Sequence, residues 1–203
     1  MKETALHTSR SRSTQRLVTI PMLAAVAFIL QYLEVPIPLT PSFLKLDFST
    51  LPALIGGLMY GPIAGIIIEV LKNTLHLLFK NTDGLLIGEL ANVIAGASFI
   101  LPAIYMQRLG LGKKGFLTGL ALGTLLITIV MAIANAYVLL PAYAVLYQMP
   151  IEQLLQMFNA TSIWSLVLVG IVPFNIFKGA VISLVAYPIY VKLGSRIAVR
   201  ATN

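Results

Sequence analysis

Glu69, Lys72 and Asn73 stand at i, i+3 and i+4 in the run IIIEVLKN, so a helix carries all three on one face. Glu89 and Asn92 repeat the i, i+3 spacing in IGELANV, and Asn175 and Lys178 repeat it in FNIFKG. Asn135 stands alone in IVMAIANAYVLLP. All of them interrupt apolar sequence. An ionisable side chain in lipid costs on the order of 2.5–3.5 kcal/mol even on the lenient insertion scale, so such groups turn toward a bundle interior or a cavity. There they either hold helices together or recognise a ligand. For Glu69 and Lys72 both readings stand: an internally neutralised pair, with Glu89 as a further partner of Lys72, or a pair with one member facing a ligand. Asn135 is either an interhelical hydrogen-bonding group or a ligand contact. Lys178 has no carboxylate on its own helix to neutralise it, which favours a ligand-facing role. Asn135, Asn175 and Lys178 together supply amide donors, amide acceptors and one cation, a set suited to hydroxyls and ring carbonyls.

Catalytic chemistry is poorly served. The two histidines are His7 in a polar tail and His76 in an apolar run, and there is no HExxH, no GxSxG and no GxxxxGK[ST] phosphate loop. With no cysteine, a thiolate nucleophile, a thiolate metal site and a disulfide are all excluded. The chain reads as a non-enzyme without metal or cofactor, and any ATP-driven step must belong to another subunit. One loop adds candidates. Residues 36–50 contain Pro36, Pro38 and Pro41, so the loop is stiff rather than helical, and it carries Phe43, Leu44, Lys45, Leu46 and Asp47. It is a lid over the outer face of a bundle or an ordinary connector.

The elements that must position these residues are membrane helices. The chain of 203 residues is 58% hydrophobic and 10% charged, with a mean hydropathy of +0.91. A soluble domain carries about 25% charged residues. About 20 apolar residues cross ~30 Å of hydrocarbon, and six segments fit: about 17–34, 49–60, 62–80, 84–107, 115–141 and 164–193. The second is short, and Gly61-Pro62 breaks it from the third. Between the last two spans, Pro150 and Glu152-Gln153 suggest a short interfacial helix. The sequence therefore predicts one all-α membrane domain over 1–203, with a basic tail (1–16), a six-helix bundle (17–193) and a C-terminal tail (194–203).

Charge placement sets the expected orientation. Of fourteen basic residues, ten fall on the side of the termini: Lys2, Arg10, Arg12, Arg16, Arg108, Lys113, Lys114, Lys192, Arg196 and Arg200. Lys45 and Lys80 lie opposite. The positive-inside rule then places both termini in the cytoplasm, and the net charge of +7 needs no nucleic acid to explain it. The basic flanks face membrane lipid. Ala24, Ala25 and Ala27 make part of the first span a small-residue surface suited to a partner helix.

These residues also carry a resemblance. FLKLDFSTLPALIGGLMYGPIAGIIIEVLKN, GELANVIAGASF and FNIFKG resemble the substrate-binding S components of energy-coupling factor (ECF) vitamin transporters, and within them the riboflavin-specific group. The similarity runs from about Ala24 to Tyr190. The Asp-x-x-x-x-Pro and Gly-Pro-x-x-Gly patterns are shared widely among S components. Lys72-Asn73, Gly88-Glu89 through Gly96, and Asn175-x-x-Lys178 point to riboflavin. The resemblance implies a six-helix fold in the cell membrane, with the vitamin held near the outer face beneath the first loop. It implies riboflavin as bound substrate, with Asn135, Asn175 and Lys178 as contacts. Its implied partners are a transmembrane coupling protein and two cytoplasmic ATPases. The family's first-helix Ala-x-x-x-Ala docking pattern is not matched strictly, since Phe28 follows Ala24 by four positions and Leu23 precedes Ala27 by four. On residues alone, an S component for another small vitamin and a membrane structural protein are the competing readings.

Overall fold

The computed structural model describes residues 2–37, 40–41, 43–80 and 86–201, with side chains described from 14 to 193 within those ranges. Pro38, residues 84–85 of the expected fourth span, and the side chains of Lys2, Arg10, Arg12, Arg196 and Arg200 lie outside them. The first helix, α1, covers Lys2–Tyr32. It begins well before the expected Leu17, inside the stretch read as a tail, and its membrane-competent part is Thr14–Tyr32. Helix α2 is Thr50–Tyr60, α3 is Pro62–Phe79 and α4 is Leu86–Arg108. Helix α5, Gly112–Ala134, continues through a π-helical turn, Asn135–Leu139, into α6, Leu140–Leu146. The short helix α7, Ile151–Met157, occupies the connection where an interfacial helix was expected. Helix α8, Ile163–Leu166, runs through a second π-helical turn, Val167–Ile171, into α9, Val172–Ala201.

Among the described residues, five helical stretches are long and apolar enough to cross a membrane: Thr14–Tyr32, Pro62–Phe79, Leu86–Arg108, Gly112–Leu146 and Ile163–Leu193. Helix α2 is apolar but short. Its 11 residues rise only ~16 Å, about half the hydrocarbon thickness. The cause lies just upstream. Asp47, Ser49 and Thr50 are all buried, so the chain dips into the bundle before α2 starts. Non-helical backbone is tolerated at such depth only where protein surrounds it. Here Asp47 accepts from the backbone N–H of Ser49 at 2.8 Å, closing a tight local turn. Gly61 then reverses the chain with φ +108°, a conformation that favours glycine, and Pro62 opens α3 where its missing N–H costs nothing.

Helix α1 packs on α2 and α3, α3 on α4, α4 on α5, and α5 on α9. The α4–α5 contact is close because of small residues. A Cβ on Gly123 would come within 2.3 Å of the Phe99 carbonyl oxygen, and one on Gly119 within 2.6 Å of the Ala103 Cα. The loop between α1 and α2 folds into a minimal antiparallel ladder of β1, Val35–Pro36, and β2, Lys45–Leu46.

Candidate functional site

Beneath that ladder lies a pocket with about 670 Å³ of empty space, part of it open to the outside. Helices α5 and α6 with the turn between them contribute Met131, Asn135, Leu139 and Tyr143, and α9 contributes Phe174, Asn175 and Lys178. Helix α4 contributes Glu89, Ala91, Asn92 and Ala95, α3 contributes His76, and Glu34, Phe43, Leu44 and Lys45 come from the loop.

The π-helical turns explain why one wall is continuous. At 100° per residue, an α-helix would place Tyr143 roughly 80° away from Asn135. One extra residue absorbed in a π turn reduces that offset to roughly 20°. Asn135 and Tyr143 therefore share the pocket. Each asparagine is fixed by its own helix. Asn135 Nδ2 donates to the Met131 carbonyl and Asn175 Nδ2 to the Ile171 carbonyl, both at 2.8 Å. Among the described residues, the second N–H and the Oδ1 of each amide have no hydrogen bond.

The charged residues form two clusters. The deeper one starts with Glu69, which is fully buried, and Lys72, whose Nζ lies 2.8 Å from Glu69 Oε2 and donates to Ser49 Oγ at 2.6 Å. The Ser49 hydroxyl donates in turn to Asp47 Oδ1. The other Asp47 oxygen accepts from Lys178 Nζ at 3.0 Å. Two carboxylates and two ammonium groups thus alternate along Glu69, Lys72, Ser49, Asp47 and Lys178, which joins α3, the loop and α9. Buried charges survive only when matched in this way. Gly96 is part of the fit, since a Cβ there would stand 2.3 Å from the Glu69 carboxyl carbon.

The second cluster lies at the loop between α1 and α2. Glu34 accepts from Lys45 at 3.1 Å and lies 3.4 Å from Lys80. His76 Nδ1 bonds Glu89 Oε1 at 2.6 Å, and its Nε2 is 3.8 Å from Glu34 Oε1. Gln31 donates to Asn73 at 2.9 Å and to Glu89 at 3.4 Å.

Asn135, Asn175, Lys178, Phe43, Leu44 and Lys45 all line the pocket. Leu46 and Asp47 are not among its lining residues, and Asp47 holds Lys178 from behind. The expected Glu89–Lys72 pair does not form. Lys72 is taken by Glu69 and Ser49, and Glu89 by His76 and Gln31. Ala24 and Ala27 are buried in the bundle, and only Ala25 of the three is exposed. Sequence reasoning missed Glu34 and His76 at the site. His76 follows Lys72 by four positions and Glu69 by seven, so it extends the same helix face.

Residues 15–190 match the family described as the substrate-specific component of ECF transporters. The chain belongs to this family. Among relatives of this S component is the riboflavin transporter RibU of Staphylococcus aureus, 40% identical over 184 residues, which span 91% of this chain and 93% of the relative. The riboflavin transporter FmnP of Bacillus subtilis is 39% identical over 180 residues, spanning 88% of this chain and 92% of that protein. A solved S component of a bacterial ECF transporter superposes with a TM-score of 0.76 at 39% identity, covering 91% of this chain and 98% of that one. This S component is accordingly a multi-pass membrane protein, and its named relatives are transporters rather than enzymes.

Proposed function

We propose that this S component binds riboflavin at the outer face of the cell membrane. In this reading it delivers the vitamin inward together with a coupling protein and two ATPase subunits. The observation that carries the reading is the pocket wall formed by Asn135, Asn175 and Lys178, in a chain whose relatives are named riboflavin transporters. Riboflavin has an apolar tricyclic body, a pyrimidine edge of alternating carbonyls and one N–H, and a chain of hydroxyls. Fixed amides beside an ammonium group match the edge. Leu44, Ala91, Ala95, Met131, Leu139, Tyr143 and Phe174 match the body. The loop from Pro36 to Thr50 acts as the lid. Phe43 stacks on Tyr143 at 5.4 Å and meets Phe158 edge-on at 5.6 Å, while Asp47 anchors its far end to α9. The chain crosses the membrane six times with both termini cytoplasmic, the short α2 and the dipping loop together making the second crossing. The partner helix docks at the exposed Ala25 side of α1.

The test is optical. Protein purified in detergent should carry a flavin absorption spectrum or quench added riboflavin fluorescence. Asn175→Ala should weaken that binding at least about tenfold, the worth of one or two polar contacts, with the melting temperature little changed. Lys178→Ala should weaken it as well. Wild-type affinity in both variants would remove this wall from the site. Retention of a different vitamin by the purified protein would assign the S component to that ligand instead.

A further inference from the structure

His76 is 3% exposed, lines the pocket, and is clamped at one ring nitrogen only. Glu89 accepts from Nδ1, and Nε2 is the ring nitrogen on the side of Glu34. Among the described residues Nε2 has no hydrogen-bond partner, and the 3.8 Å to Glu34 Oε1 is too long for one. A buried polar atom left in this state is costly. The surrounding groups are the carboxylates of Glu34 and Glu89, whose oxygens can take further bonds, and the ammonium groups of Lys45 and Lys80 at Glu34. No hydrogen bond or ion pair joins Glu34, His76 or Glu89 to Asn135, Asn175 or Lys178. The pocket therefore has two polar regions on different helices, and they differ in chemistry.

We propose that His76, held between Glu34 and Glu89, contacts the hydroxyl chain of the ligand and makes the site select for that chain; this rests on the flavin reading above. A donor–acceptor census assigns the ends. The pyrimidine edge offers two carbonyl acceptors and a single N–H, so it suits the amides and ammonium of α5 and α9 and would leave two carboxylates poorly matched. A polyol offers both a donor and an acceptor at every carbon, which suits a region of carboxylates, ammonium groups and an imidazole. A hydroxyl inserted beside Nε2 also gives that atom the partner it lacks. Asn92 lines the pocket three residues beyond Glu89 on the same face of α4 and adds an amide within this region.

The experiment compares riboflavin with lumiflavin, which has the same rings and a methyl group in place of the hydroxyl chain, on detergent-purified full-length protein by isothermal titration. In His76→Ala the Kd for riboflavin should rise about tenfold, the worth of one hydrogen bond in a charged setting. The Kd for lumiflavin should stay within about twofold. His76→Gln, which keeps an N–H for Glu89, serves as the second variant if the alanine form does not fold, with the same expectation. Equal losses for the two ligands would make His76 a structural residue and overturn the proposal. Unchanged riboflavin affinity would overturn it too. Failure of the wild type to bind either flavin would overturn the flavin reading itself, an outcome distinct from both.

Discussion

Asp47 carries three contacts with one side chain: the backbone N–H of Ser49, the Ser49 hydroxyl and the Lys178 ammonium. Lys72 reaches the same serine. Removing the negative charge leaves Lys178 facing the pocket with no carboxylate and weakens the tie between lid and α9. Breaking a buried pair by one partner costs about 3–5 kcal/mol. Asp47→Asn should therefore lower the melting temperature of the ligand-free protein markedly. It should also weaken flavin binding by displacing Lys178, and thermal denaturation with and without riboflavin separates the two effects. A second prediction concerns Gly96. Alanine there would meet the Glu69 carboxylate and push it off Lys72, an overpacking cost of about 1–3 kcal/mol. Gly96→Ala should destabilise the fold, whereas Ala91→Gly, in the partly exposed pocket wall, should change stability by no more than about 1 kcal/mol, the usual Ala-to-Gly cost in a helix. The types and faces of these residues were legible in the sequence, but the pairing was not. Lys178 has no neighbour in sequence that neutralises it, and its partner lies 131 positions away. Glu89 and Lys72 are well placed on their own helices, yet nearer groups satisfy each of them.

Elements explain what residue spacing cannot. The boundaries of α2 through α4 follow from Gly61-Pro62 and the polar flanks, and they lie close to the sequence expectation. The π turns were not legible, because IANAYVLLP and LVLVGIVPF read as unbroken apolar helix. An extra residue in a turn leaves no mark in composition. Its effect on the site is a change of register, which brings Tyr143 closer to the line of Asn135 on the pocket wall. Inserting one further alanine after Ala136 adds a residue beyond the one the turn already absorbs and should rotate everything beyond it by roughly 100°. Flavin affinity should then fall at least about tenfold while circular dichroism shows nearly unchanged helix content. Unaltered affinity would mean that the wall tolerates the rotation and that the turn has no part in shaping the pocket.

At the scale of the molecule, the charges divide it into two ends. At one end Arg16 lies over the Tyr60 ring at 5.8 Å, Tyr60 donates to Thr19, and the Arg108 guanidinium lies close to Gly61. At the other, Lys80 donates to the Tyr32 carbonyl at 2.8 Å and joins Lys45 around Glu34. Contacts between residues far apart in sequence thus bring the N-terminal end of the first span, the Gly61 turn and the end of α4 to one end. The loop between α1 and α2 and the end of α3 gather at the other. The even number of crossings follows only if the buried loop and the half-length α2 count as one passage, which hydropathy alone does not settle. Both the passage and its direction are measurable, because the chain contains no cysteine and a single introduced thiol is labelled without background. Lys113 and Gln156 are both exposed, in the first turn of α5 and on α7 respectively. With six crossings and cytoplasmic termini, Gln156→Cys should react with an impermeant maleimide in intact cells, and Lys113→Cys only after the membrane is opened. The reverse pattern would invert the orientation and place the pocket mouth in the cytoplasm, where uptake from outside could not begin. Labelling of both sites in intact cells would give the segment between them an even number of crossings and sink the six-helix topology.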